Sequence, residues 1–103
     1  MELQLITCIV QRGEADRIVK VALDGGAQGA TVFYARGTGV RQKLGVMGAL
    51  IRPEKEVVLV VSHADKVEGI FNAIIKAGRL DEPGKGFAFT QKVEKVVGFL
   101  EAS

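Results

Sequence analysis

The chain has little with which to do covalent chemistry or hold a metal. It contains one cysteine, one histidine and no tryptophan among its 103 residues. A single thiol excludes an internal disulfide, and Cys8, set between Thr7 and Ile9 in a strand-like run, reads as a buried core thiol rather than a nucleophile. His63 has no second histidine or cysteine near it and makes a poor metal site. No Ser-His-Asp or Cys-His set is readable, and no paired carboxylates stand out from the ordinary surface acids. The sequence therefore assigns no catalytic residue and no metal ligand, and the protein is expected not to be an enzyme. Charge of one sign is scarce too. Fourteen basic and twelve acidic residues leave a formal charge of +2, too small for a general nucleic-acid or membrane binder. No apolar run approaches the ~20 residues of a membrane span. No basic leader followed by a hydrophobic segment opens the chain, so a cytoplasmic location is expected.

What is present is the composition of a soluble, folded domain: 48% apolar and 25% charged. One domain covering residues 1–103 is expected at this length. Leu3, Leu5, Thr7 and Ile9 alternate with Gln4, Ile6, Cys8 and Val10, which predicts a first strand covered on both faces. Glu14 to Leu23 predicts a helix with an apolar stripe of Ala15, Ile18, Val19 and Ala22, stopped by Gly25-Gly26. Ala30 to Ala35 is a second strand. Glu54, Lys55 and Glu56 follow Pro53 and read as a solvated loop edge. Val57 to Val61 is the clearest strand, apolar at five consecutive positions, hence central and two-sided. Ser62 and Asp65 resemble a helix-entry capping pair. Val67, Ile70, Phe71, Ile74 and Ala77 then recur at helical spacing, and Gly78 ends that helix. Phe87 to Thr90 is a fourth strand, with an extended or mixed segment from Val93 to Leu100.

The order strand, helix, strand, long loop, strand, helix, strand predicts an α+β fold. It is the ferredoxin-like βαββαβ sandwich, an antiparallel sheet with helices on one face. The strands are apolar at nearly every position, so the other face must be hidden as well, by copies of the chain.

One stretch carries chemistry. Ala30 to Ala35 runs into a basic, glycine-broken loop, Arg36-Gly37-Thr38-Gly39-Val40-Arg41-Gln42-Lys43. Glycines at 37 and 39 open the backbone to conformations closed to other residues and to close approach by a ligand. Arg36, Arg41 and Lys43 surround that backbone with cations and Gln42 adds a neutral donor and acceptor, which suits a phosphate or carboxylate.

Gly26-Ala27-Gln28-Gly29-Ala30-Thr31-Val32, then Arg36-Gly37-Thr38-Gly39 and Arg41-Gln42-Lys43, resembles the PII nitrogen-regulatory signalling proteins. Lys66 to Lys76 is similar to that family's second helix. Gly84-Lys85-Gly86, followed by Phe89 and Val93-Glu94, is similar to its second Gly-x-Gly loop and terminal Val-Glu. The resemblance spans almost the whole chain in order. It implies a homotrimer with clefts between neighbours that bind ATP, ADP or AMP, often with a carboxylate metabolite, and a long loop that docks on target proteins. In that reading Thr31 meets an adenine edge, Gly37, Thr38 and Gly39 offer backbone donors, and Arg41, Gln42 and Lys43 meet anionic oxygens. Gly84, Lys85 and Gly86 form the facing loop, with Lys85 as its cation.

The chain also departs from the family. Val40 is inserted between Gly39 and Arg41. The Lys43–Lys55 loop is shorter than the family's docking loop and has no tyrosine, the one tyrosine being Tyr34 in the strand. Phe87 stands where the family has a lysine after the second Gly-x-Gly, and Gly98 and Leu100 stand where it has phosphate-binding arginines. Each such charge-assisted contact contributes roughly 1.5–3 kcal/mol, so the nucleotide is expected to be weakly bound, different or absent. The loop itself is unusually apolar. Val46, Met47, Leu50 and Ile51 are its candidate partner contacts, with a transporter or enzyme as target.

Two functions follow: a trimeric sensor of a small-molecule effector, or a structural or metal-tolerance trimer on the same scaffold without a nucleotide. Both require association. Light scattering at micromolar concentration is expected to give about three times the 11.0 kDa chain mass; a mass near that of one chain would contradict the two-faced reading of the sheet.

Overall fold

The computed structural model of the chain describes residues 2–37 and 53–99. They form β1 (Leu3–Gln11), α1 (Ala15–Asp24), β2 (Thr31–Arg36), β3 (Glu54–His63), α2 (Ala64–Gly78) and β4 (Gly86–Val93). The strands make one sheet in the order β2-β3-β1-β4, with every neighbouring pair antiparallel. This is the ferredoxin-like βαββαβ arrangement expected from the sequence, and the two most apolar strands, β1 and β3, are its centre. Among the described residues no helix is long and apolar enough to cross a membrane.

Strand alternation divides β1 and β3 between two faces. Ile6, Cys8, Val10, Val58 and Val60 point toward the helices and meet Ile18 and Ala22 of α1 with Val67, Ile70 and Ile74 of α2. All are buried. Cys8 belongs to this core, as expected, and burial raises its thiol pKa to about 11. The two helices approach closely. A Cβ on Gly25 would stand 2.9 Å from Cγ1 of Ile70, and one on Gly78 3.2 Å from Cδ1 of Ile18.

The opposite face has no helix. Register sets Ile9 beside Val57 and Phe87, and Thr7 beside Leu59 and Phe89, while Phe33 pairs with Val57. Phe33, Phe87 and Phe89 remain 46%, 55% and 39% exposed, whereas Thr7 and Val57 beneath them are already buried. The 94–99 segment reaches one end of this face, where the Phe99 ring meets His63 edge-on at 6.1 Å. It is irregular rather than extended, because pairing ends at Val93.

Three local readings need correction. Ser62 does not cap α2. The N-cap is His63, in extended conformation, and the Ser62 hydroxyl donates to the His63 carbonyl, while the Ala64 N–H donates to the carbonyl of Glu2. The second helix does end at Gly78, but the left-handed residue that stops it is Arg79, at φ 53°. Gly78 is glycine because Ile18 and Leu80 close over it.

The third concerns Glu56, read as solvated. β3 starts at Glu54, so alternation turns Glu56 to the helix side, where it is only 7% exposed. Its Oε1 accepts the backbone N–H groups of Gly13 and Ala15, each at 2.9 Å. The first turn of a helix leaves N–H groups without intrahelical partners and favours negative charge. Glu14, at the N-cap position, makes no capping bond and instead holds Arg17. Glu56 thus caps α1 from another strand. Glu56→Ala strands these donors and is expected to cost about 1–3 kcal/mol in urea unfolding at fixed protein concentration. Glu54→Ala, at an exposed position of the same strand, is expected to stay within about 0.5 kcal/mol.

Candidate functional site

Of the residues singled out for ligand binding, Thr31, Gly37, Gly84, Lys85 and Gly86 lie among those described. Thr38, Gly39, Arg41, Gln42 and Lys43 lie outside them, as do the candidate partner contacts Val46, Met47, Leu50 and Ile51.

Gly37 follows the last residue of β2 and its N–H donates to the carbonyl of Pro53 at 2.9 Å, which closes the neck of the 38–52 segment. Its φ is not left-handed, and a Cβ there would touch only the Lys55 side chain, at 3.6 Å. Conformational freedom is therefore not what the fold asks of Gly37, contrary to the expectation from sequence. The 84–86 turn is different. Gly84 has φ 81° and its carbonyl accepts from Nε2 of Gln11 at 2.9 Å, while Gly86 has φ 124°. A Cβ on Gly86 would collide with the carbonyl oxygen of Ile9. Both glycines serve the turn itself, and Lys85 between them is half-buried.

Register puts these two features at the same end of the sheet. Arg36 pairs with Glu54, Gln11 with Lys55, and Val10 with Gly86. They are nevertheless on opposite edges. Three strand spacings separate β2 from β4, roughly 14 Å, so one chain alone does not bring the Gly37 neck against the 84–86 turn. Thr31 stands six residues before Gly37, about 20 Å along the strand. It is exposed on the uncovered face, in a hollow of about 500 Å³ shared with Leu5, Leu59, Gly98 and Phe99. Phe87, in the place of the family's lysine, stacks beside Phe89 at 6.1 Å on that same face. Gly98 is exposed with φ 89°.

The sequence does not single out Arg12, and it gives Tyr34 only as a strand residue and Lys55 only as part of a solvated loop edge. Arg12 follows β1 and its guanidinium lies over the Tyr34 ring, 5.5 Å from the centroid. Lys55 stands opposite Gln11 in β3, and burial pulls its ammonium below the usual lysine pKa while Glu54 beside it acts the other way. These residues gather around a concavity next to the Gly37 neck. Only the β1–β3 and β2–β3 registers bring them together, so no local motif announces them. Among the described residues no group of three or more His, Cys, Asp or Glu side chains converges as a metal site would.

The two glycines separate in a simple test. Gly86→Ala is expected to lower stability by about 2 kcal/mol or more in denaturant unfolding, through a backbone clash and a strained φ. Gly37→Ala is expected to change it by less than about 0.5 kcal/mol. Equal effects would mean that the 84–86 turn is not set by contact with β1.

A comparison of the chain with family models matches the one described as Nitrogen regulatory protein P-II, over residues 3–100. No curated protein matches the chain.

Proposed function

Because the chain belongs to the nitrogen regulatory protein P-II family, we propose that it is a trimeric regulator that senses an adenine nucleotide or related anion in clefts between subunits. It passes the ligand state to a transporter or enzyme through the 43–55 segment. Proteins of the family are regulators rather than enzymes, form trimers and bind adenine nucleotides.

One observation carries the reading for this chain. The Gly37 neck and the 84–86 turn lie at one end of the sheet but on its two opposite edges, beside an apolar face that this chain leaves uncovered. Two copies packed by that face are able to set one chain's β2 edge toward another's 84–86 turn, so a complete cleft is a property of the assembly. In it, Gly37, Thr38 and Gly39 offer backbone donors, and Arg41, Gln42 and Lys43 engage phosphate or carboxylate oxygens. Thr31 contacts the base, and Gly84, Lys85 and Gly86 come from the neighbouring subunit. Ligand bound at the foot of the 43–55 segment selects among its arrangements, and Val46, Met47, Leu50 and Ile51 then meet the target.

Calorimetric titration with ATP, ADP and AMP, with and without magnesium, tests this. Saturable binding that Arg41→Ala weakens by about tenfold or more is the expected result. No heat with any of the three would overturn the nucleotide reading.

A further inference from the structure

The concavity beside the neck is chemically unlike the rest of the described surface. It is open to solvent, has a volume of about 340 Å³ and is lined by Arg12, Tyr34, Ala35, Arg36, Glu54 and Lys55. Its three cations come from three separate segments: the turn after β1, the end of β2 and the start of β3. With one carboxylate among them they leave a formal excess of two positive charges, as large as that of the whole chain. The ion pairs found among the described residues, Arg17–Glu14 at the N-cap of α1 and Lys20–Asp24 on α1, use none of these groups.

Like charges brought together on one surface repel one another, which an anion would relieve. The Arg12 guanidinium rests on Tyr34, and its backbone N–H donates to the Glu54 carbonyl at 3.4 Å. Lys55 is partly stripped of water.

We propose that this concavity is an oligophosphate site, in which Arg12, Arg36 and Lys55 together hold a di- or triphosphate group. A carboxylate carries one charge in one plane and satisfies one guanidinium. A di- or triphosphate has the charge and the oxygens to engage all three groups, and a guanidinium makes paired contacts with phosphate oxygens. The volume is of the size that small-ligand sites occupy. The anion site is independent of the sensor reading: Tyr34 and Arg36 pair with Glu56 and Glu54, on the side of the sheet that carries the helices, whereas Thr31 lies on the uncovered face.

The test is calorimetric titration of the intact protein with inorganic triphosphate, succinate and ATP, using wild type, Arg12→Ala, Arg36→Ala and Lys20→Ala. Lys20 is exposed on α1 and controls for nonspecific charge. Inorganic triphosphate should bind saturably and more tightly than succinate. Each of Arg12→Ala and Arg36→Ala should weaken it about tenfold or more, with Lys20→Ala unchanged. Light scattering and circular dichroism establish that each variant keeps its fold and assembly, and Arg12→Lys, which retains the charge, should recover part of the affinity. No triphosphate binding by wild type, equal weakening by Lys20→Ala, or tighter succinate binding would each overturn the site. Triphosphate binding that depends on Arg12 in a protein that ignores ATP would keep this site and remove the nucleotide reading. ATP binding indifferent to both arginine variants would do the reverse.

Discussion

Everything in the fold depends on the pairing of β1 with β3. These two strands are apolar toward both sides, so the sheet they form has to be covered twice. The connections of the chain put both helices on one side. That side closes into a dry core of aliphatic side chains around Cys8, and the other is left as a surface of phenylalanine, valine and leucine. A folded monomer satisfies half of the demand its own central strands make. The remainder is left open, and the family to which the chain belongs is one whose proteins form trimers.

The elements of the fold were legible because their signals are local. The run Val57 to Val61, the helical spacing of Val67, Ile70 and Ile74, and the alternation of β1 each state their own periodicity. Three details were not legible, each for a physical reason. Ser62 has the composition of a cap, but β3 stays extended through His63 and hands that position to it. Arg79 takes a left-handed conformation at the end of α2, a step away from the glycine that seemed made for it, because that glycine is consumed by packing against Ile18 and Leu80. Glu56 sits in the charged triplet Glu54-Lys55-Glu56, which looks like a solvated edge until the register of β3 assigns alternate residues to opposite faces. The partners of its carboxylate are backbone groups more than forty residues away, and no local pattern reports them.

The site divides along the same line. The Gly84-Lys85-Gly86 turn and the Arg36-Gly37 junction were visible as glycine and charge, yet only the strand order reveals that they occupy opposite edges. Arg12 and Lys55 are unremarkable in sequence. They acquire meaning because antiparallel pairing brings the end of β1 to the start of β3, beside the end of β2. Recognition residues gathered from separate segments by a sheet are a long-range property, and motif reading finds only the fraction that is contiguous.

The bond from the Gly37 N–H to the Pro53 carbonyl has a consequence for how such proteins diversify. It ties the two feet of the 38–52 segment to each other before either joins the body of the sheet. Chain added or removed beyond the tie alters a ring already closed, and each doubling of its length costs only about 0.6 kcal/mol. Lengthening or shortening the appendage therefore leaves the β2–β3 register alone. The scaffold accepts a segment of altered length there, so sequence change beyond the tie is decoupled from the sheet that carries it.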